Sequence, residues 1–196
     1  MYPNSIKKLI EVFKYLPGVG EKTAERMAFS VMSFDDDKIK DIADSISDIC
    51  NIKKCSICNN FSENEICNIC NSMSRNNELI VVVEKPKDVF LFEKLGIFDG
   101  KYHVLDGLIS PIDGVSPDDI NISSLLDRLS KGDVKEIILA LKPNIEGETT
   151  MQYINKLVGG MGIKVSKMAT GVPIGADMEY IDSLTLEMAL EGRKNL

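Results

Sequence analysis

Apolar residues near the start of the chain recur every three or four positions, in two groups separated by a short Gly-rich segment. The first group is Ile6, Leu9, Ile10 and Phe13, and the second is Ala24, Met27, Ala28 and Val31. This spacing keeps the apolar side chains on one helix face, whereas the Pro and Gly residues of segment 16–20 interrupt a helix. The pattern therefore predicts two short helices joined by a hairpin.

A third helix is predicted over residues 35–52. Its isoleucines share one face and its aspartates share the other, as in an amphipathic helix. We expect this helix to link the hairpin unit to the rest of the chain or to pack onto it. Cys50 falls on the apolar side, which predicts an ordinary buried cysteine.

From residue 78 onward, runs typical of strands alternate with runs typical of helices. Predicted strands cover residues 79–83, 102–105, 134–141 and 162–168, and predicted helices cover residues 88–95, 124–129, 149–158 and 182–190. Apolar, β-branched strands that alternate with helices are typical of a mostly parallel sheet covered by helices. The sequence therefore predicts a mixed α/β fold, with ligands at the carboxyl ends of the strands.

Four cysteines provide the strongest chemical signal. The spacing Cys55-x2-Cys58-x8-Cys67-x2-Cys70 places two C-x2-C pairs within 16 residues. Four thiolates can surround one tetrahedral Zn²⁺, and four protein ligands leave no open position for a catalytic water, so the site is structural. Residues 53–72 also have few large apolar side chains, which a metal would compensate. The alternative is a redox pair or four unrelated thiols, and the doubled spacing favours zinc.

Gly18, Gly20, Lys22 and Arg26 form a second candidate site, at the hairpin between the first two helices. Glycines let the backbone approach a phosphate, the start of the next helix offers unpaired N–H groups, and Lys22 and Arg26 lie one turn apart. This combination favours binding to DNA phosphates without reading sequence. A corner that only packs two helices together explains the same residues equally well.

Glu84, Glu146 and Glu148 follow two predicted strands. If those strands are neighbours, the three carboxylates meet at one edge of the sheet and offer the oxygen ligands that Mg²⁺ prefers. A solvated acidic face is the alternative.

His103, the only histidine, has no nucleophile motif beside it, which favours a structural role.

Composition limits the classes of function. The chain has 196 residues, a net charge of -7 and an odd number of cysteines, five, and it lacks an apolar run long enough to span a membrane. We therefore expect a cytoplasmic protein with no membrane association. An acidic chain can bind DNA only where cations gather, and residues 1–34 contain five basic residues against three acidic ones.

Taken in order, the motifs resemble the bacterial RecR recombination-mediator family over residues 5–193. The resemblance is carried by the Leu16–Gly20 hairpin, the four cysteines, Glu84-x-Pro86-x-Asp88, Tyr102-His103-Val104-Leu105, Ser110-Pro111-x-Asp113-Gly114, Glu146-Gly147-Glu148 and Asp177-x-Glu179-Tyr180. It implies a helix-hairpin-helix unit with a linking helix over residues 1–52 and a small four-cysteine zinc finger over residues 53–77. A Toprim α/β domain over residues 78–168 and a Walker B-like loop with a C-terminal helix over residues 169–196 would follow.

The resemblance also implies a function. RecR proteins are not known as catalysts; they act with RecO and RecF to place RecA on gapped single-stranded DNA. By this resemblance Gly18, Gly20, Lys22 and Arg26 become DNA contacts, for single- and double-stranded DNA alike, and the cysteines become ligands of one structural zinc ion per chain. Glu84, Glu146 and Glu148 become a partner-docking surface or a residual Mg²⁺ site, and the chain is expected to form a dimer or a tetrameric ring.

A Mg²⁺-dependent Toprim nuclease or primase-like enzyme is the alternative function. Catalytic Toprim relatives show an Asp-x-Asp pair, whereas the longer side chains of Glu146 and Glu148 fix a metal less rigidly, which favours the mediator. Two positions depart from the usual family pattern. Lys142 places a cation near the acids, where it could pair with Glu146, and Ala176 replaces a usual glycine, so a positive φ there would be strained.

Overall fold

The computed structural model describes residues 2–193, and the chain divides into two compact units at the Ile52–Lys53 bond. The first unit consists of α1 (Asn4–Lys14), α2 (Glu21–Met32) and α3 (Asp36–Asp48), with a short 3-10 turn over Ile49–Asn51. Ile10, Ala24 and Ala28 are buried between α1 and α2, because small alanines let the two helices approach closely. The two predicted helices and their hairpin are confirmed.

Helix α3 leaves its apolar face exposed. It begins at the cap residue Asp35, whose carboxylate accepts a hydrogen bond from the Lys38 N–H at 2.8 Å, but none of its residues is buried within the unit. Cys50, in the turn that follows, is exposed as well, so the prediction of a buried cysteine was wrong. Helical periodicity shows which face is apolar, but it does not show whether the same unit covers that face.

The second unit, as far as the structure describes it, contains a small two-stranded ribbon, a four-stranded sheet and five helices. The ribbon comprises β1 (Lys53–Lys54) and β2 (Phe61–Ser62), followed by α4 (Asn68–Asn71). The remaining elements are β3 (Leu79–Val83), α5 (Pro86–Leu95), β4 (Lys101–Val104), α6 (Ile122–Leu129), β5 (Glu136–Ala140), α7 (Ile145–Val158), β6 (Lys164–Lys167) and α8 (Ser183–Glu191).

The four-stranded sheet is fully parallel, in the order β4-β3-β5-β6, which confirms the predicted fold class. Val83, at the end of the central strand β3, is aligned with Val104 of β4 and Ala140 of β5. The carboxyl ends of these strands therefore meet at one edge. The chain leaves β3 towards β4 and returns on the other side of β3 as β5, so the topological switch point lies between β3 and β5.

Both faces of the sheet are covered. Ile80 and Val82 point into one apolar core with residues of α6 and α7, and Val81 and Val83 point into a second core with Val89 of α5. Alternate side chains of a strand face opposite sides, so a continuous apolar run is the expected sequence of such a doubly covered strand. His103 in β4 is fully buried, and its Nε2–H donates to the Asn121 carbonyl at 2.9 Å.

Candidate functional site

The four predicted cysteine ligands lie together. The Sγ atoms of Cys55, Cys58, Cys67 and Cys70 all lie within 4.8 Å of one another, and all four residues are buried. Among residues 2–193 they form the only group of three or more Cys, His, Asp or Glu side chains that is this close. The ribbon and α4 bring the two C-x2-C pairs together: Asn59, just after the first pair, has a φ of 60°, which closes a tight turn.

The spacing of the sulfurs fits a zinc ion. Sulfurs at 2.3 Å from a tetrahedral metal lie about 3.8 Å apart, and the Cys58 and Cys67 Sγ atoms are 3.6 Å apart. Hydrogen bonds from Cys58, from Cys70 and from the Cys70 backbone N–H hold the pKa of the Cys67 thiol well below its usual range, whereas the pKa of Cys58 is raised. Cys55, Cys58, Cys67 and Cys70 would hold a divalent cation as four thiolates, since its positive charge would stabilise their deprotonated form.

The cysteine module is fastened to the edge strand β4. The Val104 N–H donates to the Cys58 carbonyl at 2.8 Å, and the buried Lys101 amine donates to the Cys70 carbonyl at 2.7 Å. These bonds satisfy polar groups that an uncovered sheet edge would leave free. The module and the sheet therefore belong to one unit of the structure.

The hairpin between α1 and α2 places its predicted residues on an open surface. Gly18 has a φ of +79°, and Gly20 is the cap residue of α2; a Cβ on either glycine would meet nothing within 4 Å. Lys22 and Arg26 are exposed on α2, one turn apart. A ligand could thus approach the backbone and both cations from the solvent side.

The cations of this unit differ in their surroundings. The Lys14 amine lies 3.0 Å from Glu11 and 2.8 Å from Glu21, and these two carboxylates raise its pKa. By contrast, Lys22 and Arg26 have no carboxylate oxygen within 4.0 Å among the residues that the structure describes. Lys22 and Arg26 are therefore available to an anion beside the hairpin, whereas Lys14 is already paired.

The three predicted carboxylates share an edge but do not converge. Glu84 follows β3, and Glu146 and Glu148 lie in the first turn of α7, after the neighbouring strand β5. Within residues 2–193 no group of three acidic side chains brings its oxygens within 4.8 Å of one another. Glu84 lies 3.4 Å from the Lys85 amine, and Glu148 lies 2.9 Å from Lys167.

Gly147, between the two glutamates, shows why α7 begins where it does. A Cβ at this position would lie 1.8 Å from the Lys142 carbonyl oxygen, so only glycine lets the helix start this close to the end of β5. The Asn144 side chain caps the helix by accepting from the Gly147 N–H at 2.9 Å. Helix α7 thus begins at Ile145, four residues before the predicted start at residue 149.

The two departures from the family pattern have clear structural outcomes. Among the ion pairs of residues 2–193, none joins Lys142 to Glu146. In the later loop Gly175, not Ala176, has the positive φ, at 81°. Ala176 therefore occupies an unstrained backbone conformation.

Asp106 is an acidic residue at this edge that sequence reasoning missed. It lies just past β4, its N–H donates to the Glu84 carbonyl at 2.8 Å, and its carboxylate pairs with Lys54 of the cysteine module. Its φ of 68° is unusual for a residue other than glycine. The sequence does contain a signal for Asp106. Like Glu84, it is an acidic residue directly after a predicted buried strand.

Four family descriptions match successive parts of the chain. They are the RecR helix-hairpin-helix over residues 6–50, the RecR zinc finger domain with four cysteines over residues 52–72, the Toprim domain over residues 78–169 and the RecR C-terminal region over residues 171–194. The matches define a Toprim-domain protein with a helix-hairpin-helix unit and a zinc finger. No helix in residues 2–193 combines the length and the apolar character needed to cross a membrane.

Full-length relatives identify the family. The proteins named "Recombination protein RecR" from Natranaerobius thermophilus, Acidothermus cellulolyticus and Staphylococcus haemolyticus are 45%, 47% and 46% identical to this chain. Each match covers 100% of this chain and 98% or 99% of the relative. The chain belongs to the RecR family, as its motifs indicated, and its four buried cysteines form the site of one zinc ion.

Proposed function

We propose that this protein is a DNA-binding recombination mediator that acts in the cytoplasm with RecO and RecF and promotes RecA loading on gapped single-stranded DNA. The observation that carries the proposal is full-length similarity, at 45% to 47% identity, to proteins named for recombination. Three features support parts of this role: the hairpin supports DNA binding, the acidic edge supports partner binding, and two exposed apolar helices support assembly.

The hairpin is the proposed DNA contact. Gly18 and Gly20 leave the backbone open, and Lys22 and Arg26 offer two cations to a phosphate. Backbone N–H groups and the side chains of lysine and arginine bind phosphates whatever the base sequence, so we expect binding that does not depend on sequence and that extends to single- and double-stranded DNA.

Replacing Lys22 and Arg26 together by Ala tests this contact. Each lost phosphate contact lowers the slope of log affinity against log salt by about 0.7 to 0.9, so the slope should fall by roughly 1.4 to 1.8. The matched control replaces Lys38 and Lys40 on α3 by Ala, which removes the same charge from the same unit and should leave the slope unchanged. An unaltered slope in the hairpin variant would remove the hairpin from the mechanism.

Glu84, Glu146 and Glu148 are proposed to bind a protein partner, RecO, and not a catalytic Mg²⁺ ion. Two of these carboxylates already have lysine partners, and the three do not surround one point. Charges paired loosely at a surface can exchange partners at little cost, which suits docking of a basic surface. Replacing Glu146 and Glu148 by Gln should weaken RecO binding, whereas Gln at the exposed Glu63 and Glu65 of the cysteine module should not.

The Toprim-enzyme alternative predicts a different result. Pure protein with Mg²⁺ or Mn²⁺ would then cleave DNA or incorporate nucleotides, and Glu84→Gln would abolish that activity. We expect neither activity, since catalysis by a metal requires ligands that fix its position. Activity that depends on Glu84 would contradict the mediator proposal.

A homo-oligomer, either a dimer or a tetrameric ring, completes the proposal. Helix α3 and the turn after it expose Ile46 and Ile49, at 62% and 67%, and α8 exposes Leu184 and Leu190, at 63% and 67%. Apolar helix faces of this kind are typical of surfaces covered by another chain. Light scattering should give a molar mass of two or four chains, which Ile46→Glu or Leu184→Glu should lower and Ile112→Glu, in an exposed loop, should not.

A further inference from the structure

A charged cleft opens at the carboxyl ends of β3 and β5. Its volume is about 360 Å³, and it is lined by Lys85, Lys87 and Asp88 at the start of α5, by Glu84, and by Lys142 after β5. It lies at the topological switch point of the sheet, the usual place for a ligand in an α/β fold. The volume falls in the range of small-molecule sites.

The cleft has an excess of positive charge, although the whole chain has a net charge of -7. Lys85 lies 3.4 Å from Glu84, and the Asp88 carboxylate accepts the backbone N–H of Lys85 at 2.9 Å. Neither Lys87 nor Lys142 has a carboxylate oxygen within 4.0 Å among residues 2–193. Two ammonium groups in the cleft are thus free to bind an anion.

The backbone around these lysines is fixed. The Lys142 carbonyl accepts the Asn144 N–H at 2.9 Å and lies against Gly147, where no side chain would fit. Lys87 lies in the first turn of α5, whose start is held by the Asp88 cap. Lys87 is therefore carried on a helix, and Lys142 on a short connection between β5 and α7 whose backbone is held by these contacts, which gives the site a defined backbone geometry.

We propose that this cleft binds a phosphomonoester attached to a nucleoside, with Lys87 and Lys142 as the phosphate contacts. Two ammonium groups match the two charges of a phosphomonoester, and lysine is a common phosphate ligand. Leu91, 62% exposed, and Phe92 form an apolar wall on which a sugar or base can pack. The site is separate from the hairpin and does not depend on its proposed DNA contact, but it shares Glu84 with the proposed RecO surface.

Calorimetric titration of the zinc-loaded full chain with dTMP and with thymidine tests the proposal. We expect dTMP to bind at least about tenfold more tightly, a difference of ~1.4 kcal/mol. Replacing Lys87 and Lys142 together by Gln should remove this preference, whereas Lys142→Arg should keep it. The matched control replaces Lys131 and Lys156, two exposed lysines elsewhere in the same unit, by Gln and should bind dTMP like the unmodified chain.

A second pair of probes identifies the source of the phosphate. Short oligo-dT with a 5′-phosphate is compared with the same strand bearing a 5′-hydroxyl, in the chain carrying Lys22→Ala and Arg26→Ala so that the hairpin does not contribute. One affinity ratio compares the 5′-phosphorylated strand with the 5′-hydroxyl strand, and the other compares dTMP with thymidine. A larger ratio for the strands supports a DNA end as the ligand, and a larger ratio for dTMP supports a free nucleotide.

Three results would overturn the proposal. The first is equal binding of dTMP and thymidine, and the second is an equal loss of dTMP binding in the Lys131 and Lys156 control. The third is tighter binding of a glutamate-rich peptide of the same charge than of dTMP, lost when Lys87 and Lys142 are replaced, which would assign the cleft to an acidic protein segment. None of these results bears on the DNA contact at the hairpin.

Discussion

Gly147→Ala should destabilise the second unit because this glycine sets the distance between β5 and α7. The added Cβ would lie 1.8 Å from the Lys142 carbonyl oxygen and 3.1 Å from the Asn144 side-chain oxygen. To reach even the tight contact distance of 3.0 Å, the start of the helix must move by about 1.2 Å. The clash with Lys142 cannot be relieved by a rotamer change, since the atom that the Cβ would meet belongs to the backbone.

The expected cost combines two effects. Moving the helix breaks or lengthens the cap from Asn144 to the Gly147 N–H, which is 2.9 Å long, and losing an N-cap costs about 1 kcal/mol. Forcing an extra carbon into a packed site costs roughly 1 to 3 kcal/mol. We therefore expect the free energy of unfolding to fall by about 2 to 4 kcal/mol, and the same movement displaces Glu146 and Glu148.

Urea unfolding followed by far-UV circular dichroism measures this change, since the chain has no tryptophan for fluorescence. Gly160→Ala is the matched control, because a Cβ there meets nothing within 4 Å and the φ of Gly160 is not positive. That control should be neutral or stabilising by about 0.5 kcal/mol. A loss below about 0.5 kcal/mol for Gly147→Ala would refute the reasoning. Unchanged RecO binding in this variant would show that docking does not depend on the position of the start of α7.

Three further predictions follow from the buried groups. Cys58→Ser should reduce bound zinc from one ion per chain, measured by metal analysis, and should increase hydrogen exchange at Val104, whose N–H donates to the Cys58 carbonyl. Burial, together with the charge of Arg128, lowers the pKa of His103 to about 4. The free energy of unfolding should therefore fall by up to ~3 kcal/mol as the pH drops from about 6.5 towards 4, because the unfolded chain binds a proton at His103 that the folded chain does not. The fall should be smaller in His103→Gln. Leu125→Ala, in the core, should cost about 2 to 5 kcal/mol in urea unfolding, whereas exposed Leu95→Ala should cost under about 1 kcal/mol.

Short-range patterns in the sequence predicted most of the fold. The run Leu79–Val83 and its flanking helices were identifiable because a doubly covered strand must be apolar at every position. The four cysteines were identifiable because their spacing alone fits a tetrahedral metal. Both signals depend on neighbours along the chain, so no three-dimensional information was needed.

The remaining features depend on contacts between distant segments. Cys50 was predicted on the apolar face of a helix, but periodicity does not show whether the unit covers that face, and the structure leaves Cys50 exposed in the turn after α3. Asp106 gains its place beside Glu84 and Lys54 from the alignment of β3 and β4 and from the docked cysteine module. The pairing of Glu148 with Lys167 likewise requires β5 and β6 to be neighbours. Sequence spacing indicates which residues follow strands, but only the sheet order decides which of them meet.

The charge distribution connects DNA binding to assembly. Residues 1–34 have a net charge of only +2, and Lys14 is already paired with Glu11 and Glu21, so each hairpin offers few cations to DNA. Two phosphate contacts from Lys22 and Arg26 give a salt slope of roughly 1.8 on duplex DNA. Such weak contacts become effective when several hairpins bind one strand, because linked sites multiply their affinities. If the hairpin is the contact, DNA affinity should therefore rise with protein concentration over the range in which the oligomer forms.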